Sequence, residues 1–456
     1  MEITRINITT APKERFKINQ RKMIAYGYYG MGKILRSIAG CEGKVVRQVI
    51  YYPVVKDVAT LADLVNRISW YLPQSSFSKV EVSIPVDTKL LNTNLKSLVP
   101  PSSQLSYIGQ PSNIRLIDHC AVNLSQADAI MLWDKRTMFE PRILWRLPKV
   151  NVVDPWFYSE LESAANRRLY FQTIESQQKE WFSQLSKKNY QVLLDVVAGC
   201  KRGYVFGTGP SLDRAMEFDY RGGFRVVCNS IVKNKALLQH IKPQLLTFAD
   251  PVSHFSPSRY ATEFRRMMLE TVADFQCFIM VPDYNVPLLL AHYPELENRI
   301  IGMPIPAILD MSLHEIIGMV LRHPTKIPLL TKIPGHKETW NFPTSRKFYV
   351  RVAPSVMPSF MLPVVSSVCE DIYVIGADGR KPDEKYLAHS SSSQFGDLMQ
   401  TAFDTHPSFF RDALYADQYR AYYKYFEELL HYGESLGKRY YALTPSYIPA
   451  LAKRQT

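Results

Sequence analysis

Short apolar runs alternate with helically spaced apolar positions along this chain, and that alternation sets the expected fold. Arg47-Gln-Val-Ile-Tyr-Tyr-Pro-Val-Val55 reads as a strand, and 57–72 carries helical spacing with Asp57 as its N-cap. Val80-Glu-Val-Ser-Ile-Pro85 alternates with period two; Ile114–Asp118, Ala129–Trp133 and Val150–Val153 continue the series. Between Pro85 and Pro111 serine, asparagine and proline dominate, which predicts a surface loop. Asp154-Pro155 has the chemistry of a helix start, and Leu161, Ala165, Leu169, Ile174, Phe182 and Leu185 hold helical spacing to about Asp195. A second strand series begins at Tyr204 and runs through Arg225–Cys228, Leu245–Phe248 and Cys277–Val281, resuming at Asp371–Gly376. Asp412–Tyr432 reads as an aromatic helix, and Arg439–Ser446 as a last strand leading into a turn.

Strands alternating with helices imply parallel sheets with crossover connections. The expected fold class is α/β: two Rossmann-like units joined by a long helical segment. The boundaries fall at 1–153 for an N-terminal α/β domain that binds an acceptor or partner, and 154–199 for a helical connector. The remainder, 200–456, is a catalytic domain that binds a nucleotide sugar. A proline-rich, basic insertion at about 283–347 interrupts this last domain, as a lid or acceptor flap. The serine run Ser390–Ser393 is the one low-complexity stretch.

Composition narrows the class. The chain has 456 residues, 46% hydrophobic and 12% aromatic, enough for more than one packed core. Six scattered cysteines show no CxxC, favouring a reducing, cytoplasmic compartment and arguing against structural zinc. The net charge is +13, and the first fifty residues are rich in Lys and Arg. Such a face suits an anionic membrane surface or a phosphorylated substrate, or is simply a solvated surface. RNP-like, helix-turn-helix and zinc-finger signatures are missing, so nucleic acid is not an expected partner.

The chemistry concentrates in Gly207-Thr208-Gly209-Pro210-Ser211-Leu212, which breaks the strand at Tyr204–Phe206. Glycines there let backbone approach a ligand, and amides pointing outward from the next helical turn suit phosphate. Asn229 ends the following strand, Asp250 the one after, and Gly376-Ala-Asp378 the last core strand. All four strand ends fall on one sheet edge, where parallel sheets hold ligands. Gly27-Tyr-Tyr-Gly30-Met-Gly32-Lys33-Ile34 nearly spells a P-loop. Ile34 stands where Ser or Thr would hold magnesium, so a glycine-softened turn before a helix at 34–39 is expected instead. His389 and His406 follow the Gly376 strand end as candidate general bases; His254 and His336 are weaker candidates. No Asp-x-Asp, metal-ligand spacing or Gly-x-Ser-x-Gly occurs, so neither a resident metal nor another cofactor is expected.

The order Gly-x-Gly-Pro-Ser, Cys228-Asn229, Arg351 with Ser355, Gly376-x-Asp378, Tyr386 and His406 resembles bacterial sialyltransferases of glycosyltransferase family 42. The Gly-Pro-Ser-Leu opening is also similar to the motility-associated-factor flagellin glycosyltransferases. The resemblance covers about 200–446. It implies a nucleotide-sugar donor, CMP-linked, held by Gly207, Thr208, Gly209, Ser211 and Asn229, with Asp250 in place of a usual asparagine. Arg351 and Ser355 resemble an Arg-x-x-Ser element, with one extra residue between them. Tyr386 would steady the departing phosphate and the histidine before the last helix would be the base, pointing to His406 over His389. A second phosphate-contacting tyrosine has no counterpart; Arg380 and Lys381 lie in its region. The implied activity is metal-independent inverting transfer of a nonulosonic acid to a surface glycan, lipid-linked or protein acceptor. A phosphotransferase resembling archaeal pterin pyrophosphokinases and a non-catalytic nucleotide-binding scaffold are the alternatives.

Overall fold

Two parallel sheets carry the fold. The computed structural model describes residues 12–41, 44–106, 113–305, 340–351, 353–380, 391–412 and 415–456. The first sheet contains β1 (Gln48–Tyr52), β2 (Glu81–Val86), β3 (Ile114–Asp118), β4 (Ala129–Leu132) and β5 (Val150–Val152), in the order β3-β2-β1-β4-β5. The second contains β6 (Arg202–Phe206), β7 (Phe224–Cys228), β8 (Leu245–Thr247), β9 (Phe278–Pro282), β10 (Ile300–Met303), β11 (Asp371–Ile375) and β12 (Arg439–Ala442). Its order is β10-β9-β8-β7-β6-β11-β12. Every ladder is parallel, from Val49 opposite Ala129 in the first sheet to Tyr373 opposite Tyr204 in the second. The central strands are buried on both faces, so they read as apolar runs without alternation.

The helix Val58–Tyr71 begins as its sequence directs: Asp57 is extended and its carboxylate accepts from Thr60 N at 2.8 Å. Other expectations need correction. Gly27–Ile34 forms no turn; it lies inside one helix, Pro12–Ile38, with Gly32 against the carbonyl of Leu147. Asp154 does not cap a helix. Its carboxylate accepts from Lys135 N, Trp156 N and Phe157 N, which holds a turn, and the helix starts at Ser159. The connecting segment is two helices, Ser159–Thr173 and Ser176–Val196. The first part of the expected insertion is core: the helix Val286–His292 packs on β10, an edge strand of the second sheet. Residues 306–339 of that insertion lie outside the described residues. The aromatic C-terminal helix runs Tyr415–Ser435.

One hydrophobic core runs from the first sheet into the second. Trp70, fully buried, joins the two. Its indole N–H donates to the Phe255 carbonyl at 2.7 Å, His292 stacks on its ring at 4.4 Å, and the Arg265 guanidinium lies 3.9 Å over the ring. Gln104 pairs as an isolated antiparallel bridge with Ser258, and its side chain holds Asn66 and Asp63. These contacts set the helix Val58–Tyr71 against the loops that leave the C-terminal ends of the second sheet.

Candidate functional site

The strand order of the second sheet reverses between β6 and β11, which places a topological switch point at their C-terminal ends. The loop after β6 and the loop after β11 dock there on each other. Gly207 N donates to Ile375 O at 2.8 Å and Gly209 N to Gly376 O at 2.8 Å. A Cβ on Gly207 would lie 2.5 Å from Gly376 O, and one on Gly209 would lie 2.1 Å from Asp378 Oδ2. Gly376 takes a φ of +67°, a left-handed conformation glycine accepts without cost. Asp378 clamps the turn: Ser211 N reaches Oδ1 at 3.1 Å, and the Ser211 hydroxyl reaches Oδ2 at 2.8 Å. Behind it, the Thr444 hydroxyl lies 2.9 Å from Ser211 Oγ and accepts from Gly376 N at 3.1 Å.

This geometry corrects the expectation that the glycine turn aims its amides at a phosphate. The amides of Gly207, Gly209, Ser211 and Leu212 all donate to protein acceptors. The turn starting at Pro210 is a 3-10 helix, Pro210–Glu217, capped at Gly209. The glycines are needed because two loops meet.

One strand over, Asn229 sits at the end of β7 with φ +49°, left-handed backbone for a residue with a side chain. Its amide oxygen Oδ1 is buried and has no hydrogen-bond partner among the described residues. Next to it the turn Asn229–Lys233 meets the turn Ser391–Ser393: Lys233 Nζ donates to the Gln394 carbonyl, and Asn234 Nδ2 to Ser392 Oγ at 3.0 Å. Ser393 Oγ in that turn is also buried, with no hydrogen-bond partner among the described residues. The serine run, visible in sequence as low complexity, thus supplies a buried polar atom on the turn that meets Asn229–Lys233.

Ser355 sits just ahead of the π-turn Met357–Met361, which continues as the helix Leu362–Val368. A Cβ on Gly207 would lie 3.0 Å from Met357 Cε, so the first turn of this helix packs its side chain against the glycine loop. Arg351 is elsewhere engaged. Its guanidinium lies between the rings of Trp340 and Tyr425 at 4.7 and 4.8 Å and donates to Glu428 at 3.2 Å. Arg380 follows Gly379 beside the C-terminal helix, with its N–H 3.3 Å from Tyr423 Oη and its guanidinium 5.7 Å over the Tyr419 ring. Tyr386 and His389 lie outside the described residues.

At the end of β8, Asp250 forms a turn, accepting from Val252 N at 2.9 Å and Ser253 N at 2.6 Å. Burial raises its pKa, opposed by those backbone amides and by the nearby His406. His254 Nδ1 accepts from Asp250 N at 3.0 Å, and its ring contacts Phe248 and Phe264. Burial, with Arg265 adding to it, holds His254 neutral down to about pH 3, so it is a structural histidine.

His406 is 1% exposed, and Nδ1 lies 2.9 Å from Oε2 of Glu162, itself 1% exposed. The distance is that of an ion pair but the angle is off, so neither atom is hydrogen-bonded, and His406 Nε2 has no partner among the described residues. Glu162 also accepts from Arg67 at 3.1 Å; Arg67 pairs with Asp63 at 2.9 Å and donates to Thr405 O at 2.8 Å. Burial opposes the Arg67 charge, but Asp63 and Glu162 outweigh it and raise its pKa. Glu162 and Arg67, from outside the second sheet, were not visible as site residues in the sequence.

Among the described residues one group has metal-ligand proximity: the consecutive Asp118, His119 and Cys120 after β3. It is largely exposed on an edge strand, and Asp118 already accepts from Cys120 N at 2.8 Å.

Fold and site together define a two-sheet parallel α/β protein with polar side chains gathered at the C-terminal edge of the larger sheet. No protein-family model matches the chain, and no curated protein matches it. Among solved structures the chain is similar to the sialyltransferase CstII from Campylobacter jejuni in complex with a substrate analogue, cytidine-5'-monophosphate. That likeness has 12% sequence identity and a TM-score of 0.24, and covers 55% of this chain and 86% of that one. A match this loose aligns no individual residues and says nothing of activity.

Proposed function

We propose that this chain is a glycosyltransferase that takes a sugar from a nucleotide-activated donor, a CMP-linked nonulosonic acid, and moves it to a hydroxyl of a glycan, lipid-linked or protein acceptor. The observation that carries the reading is Asn229: strained into the left-handed region, its buried Oδ1 is unsatisfied at the C-terminal edge of a parallel sheet. An unpaired buried amide oxygen costs about 1–3 kcal/mol. Left-handed asparagine with an idle acceptor fits a residue waiting for a ligand donor such as a cytosine amino group or a ribose hydroxyl. The positive end of the helix after Ser355 and the Arg380 guanidinium supply charge for the departing phosphate. His406, oriented by Glu162, takes the acceptor proton on Nε2 as the donor C–O bond breaks and the phosphate leaves with the bonding pair. An acceptor must enter a site closed in this structure, where His406 is 1% exposed.

The test is a thermal-shift screen of the full chain against CMP, UDP, GDP and ATP, followed by donor hydrolysis with and without chelator. Stabilisation by CMP, and CMP release lost in His406→Ala while CMP still binds, supports the reading. Stabilisation by UDP but not CMP removes the nonulosonate donor. Turnover that persists in His406→Ala removes the base. Activity abolished by chelator favours the phosphotransferase alternative.

A further inference from the structure

We propose that the outward face of the helix Pro12–Ile38 docks the protein on an anionic lipid bilayer. The helix is inverted relative to an ordinary surface helix. Successive residues turn by about 100°, so Phe16, Met23, Ile24, Met31, Ile34 and Ile38 fall within one arc of about 100°. Each of the six is between 36% and 74% exposed. The opposite face, with Ile18, Ala25, Tyr28, Gly32 and Arg36, is the one the protein buries. A solvent-facing aliphatic stripe on a 27-residue helix, roughly 40 Å long at 1.5 Å per residue, is an interaction surface and not a scattering of single exposed side chains.

The buried side of the helix packs on the first sheet's loops. The turn Leu147–Lys149 packs against the helix, with Leu147 O 3.5 Å from where a Gly32 Cβ would stand. Beside it, Trp145 is 85% exposed, and Phe139, 64% exposed, meets the edge of the Tyr28 ring at 6.2 Å. Large exposed aromatic side chains are residues that sit at a membrane interface.

Charge decides the occupant. The helix carries seven basic residues and one acidic residue, Glu14. Arg36 is buried and Arg21 is bound to Asp412. Lys13 lies within the arc of the stripe and Lys17 at its edge, so the exposed apolar face begins with two lysines. With basic residues so far in excess on this helix, a second copy docking through the same stripe meets like charge, which an anionic surface converts to attraction. No helix among the described residues is long and apolar enough to cross a membrane, so the arrangement is one that lies on the surface.

The experiment uses the full chain and sedimentation with vesicles of phosphatidylcholine alone or with roughly one-third phosphatidylglycerol. The expected result is binding to the anionic vesicles, little binding to phosphatidylcholine, and release at about 0.5 M salt. Met23→Gln/Met31→Gln/Ile34→Gln/Ile38→Gln keeps helix propensity and charge, and should bind at least about tenfold more weakly with an unchanged melting temperature. Lys13→Gln/Lys17→Gln should narrow the preference for anionic over neutral vesicles. The proposal is overturned if the wild-type chain stays in the supernatant with anionic vesicles at low salt, or if the four-glutamine variant binds as well as wild type. It is equally overturned if light scattering finds a wild-type dimer that the variant turns to monomer and that does not bind vesicles.

Discussion

Replacing Gly207 with alanine separates two reasons for a glycine at a strand end: room for a ligand, or room for another loop. The added Cβ would lie 2.5 Å from Gly376 O and 2.9 Å from Gly376 C, both backbone atoms. Opening the first contact to about 3.3 Å, still inside the van der Waals optimum, takes a shift of about 0.8 Å. The atoms that must move are held by Gly207 N to Ile375 O and Gly209 N to Gly376 O, each at 2.8 Å. The shift stretches both beyond hydrogen-bond length, and two buried peptide groups weakened at about 1–3 kcal/mol each give a few kcal/mol. Alanine returns about 0.4–1 kcal/mol by restricting the unfolded chain. The net loss is about 2–4 kcal/mol, or a fall of roughly 5–10 °C in the melting temperature of the seven-stranded unit. Gly396→Ala is the control, because nothing lies within 4 Å of its added Cβ and its φ is not left-handed. Differential scanning calorimetry of both variants checks the reasoning. A Gly207→Ala protein that melts like wild type but loses nucleotide binding would refute it and restore the glycine to a ligand-facing role.

Two further outcomes are expected. Glu162→Gln keeps the shape of the side chain but removes the charge 2.9 Å from His406 Nδ1; kcat for donor hydrolysis should fall about tenfold or more with the CMP dissociation constant unchanged, and an unaltered kcat would show that Glu162 does not position His406. His254 and His292 are held neutral in the fold, with pKa values lowered by burial to about 3 and about 4; the unfolded chain protonates both near pH 6.5, so it binds more protons as pH falls and stability is lost from there downward. At about 1.4 kcal/mol per pH unit for each group, the pair removes about 2–3 kcal/mol between pH 6 and pH 5, and urea melts that stay flat across this window would contradict their neutral burial.

The inner strands were legible because parallel sheets covered on both faces leave unbroken apolar runs: the run Ala129–Trp133 is β4, Ala129–Leu132, buried at every position. The helix at 12–38 was not legible, because its apolar stripe points outward and its packed face holds Gly32 and Arg36, so periodicity gave no inward face. Asp154 misled for a local reason; a carboxylate that caps helices also closes turns, and Lys135 N, far along the chain, recruited it. The strand-end positions Asn229, Asp250 and Asp378 were readable from their spacing after apolar runs. What each does there was not: the backbone φ of Asn229 and the mutual approach of Gly207 and Gly376 exist only once two loops are assembled. Glu162 and Arg67 had no motif to announce them, since only tertiary packing brings them to His406.

The two switch points of this molecule differ in a way that relocates the site. In the first sheet the order reverses between β1 and β4, and there Trp133 closes the crevice, its backbone N–H bound to Tyr52 O and its indole N–H to Pro53 O. In the second, the crevice between β6 and β11 is closed by the glycine loops and the Asp378 clamp. Protein therefore fills both crevices where a ligand would ordinarily be sought first. Among the described residues, buried polar atoms without a hydrogen bond lie past the second crevice, at Asn229 after β7 and at His406 near the Asp250 turn after β8. This is the stretch of edge that the helix Val58–Tyr71 approaches, fixed by Trp70 on Phe255 O and by Arg67 on Thr405 O. The first sheet then has a physical task in the proposed chemistry: Arg67 braces the carboxylate that orients the base, and neither unit alone assembles that group.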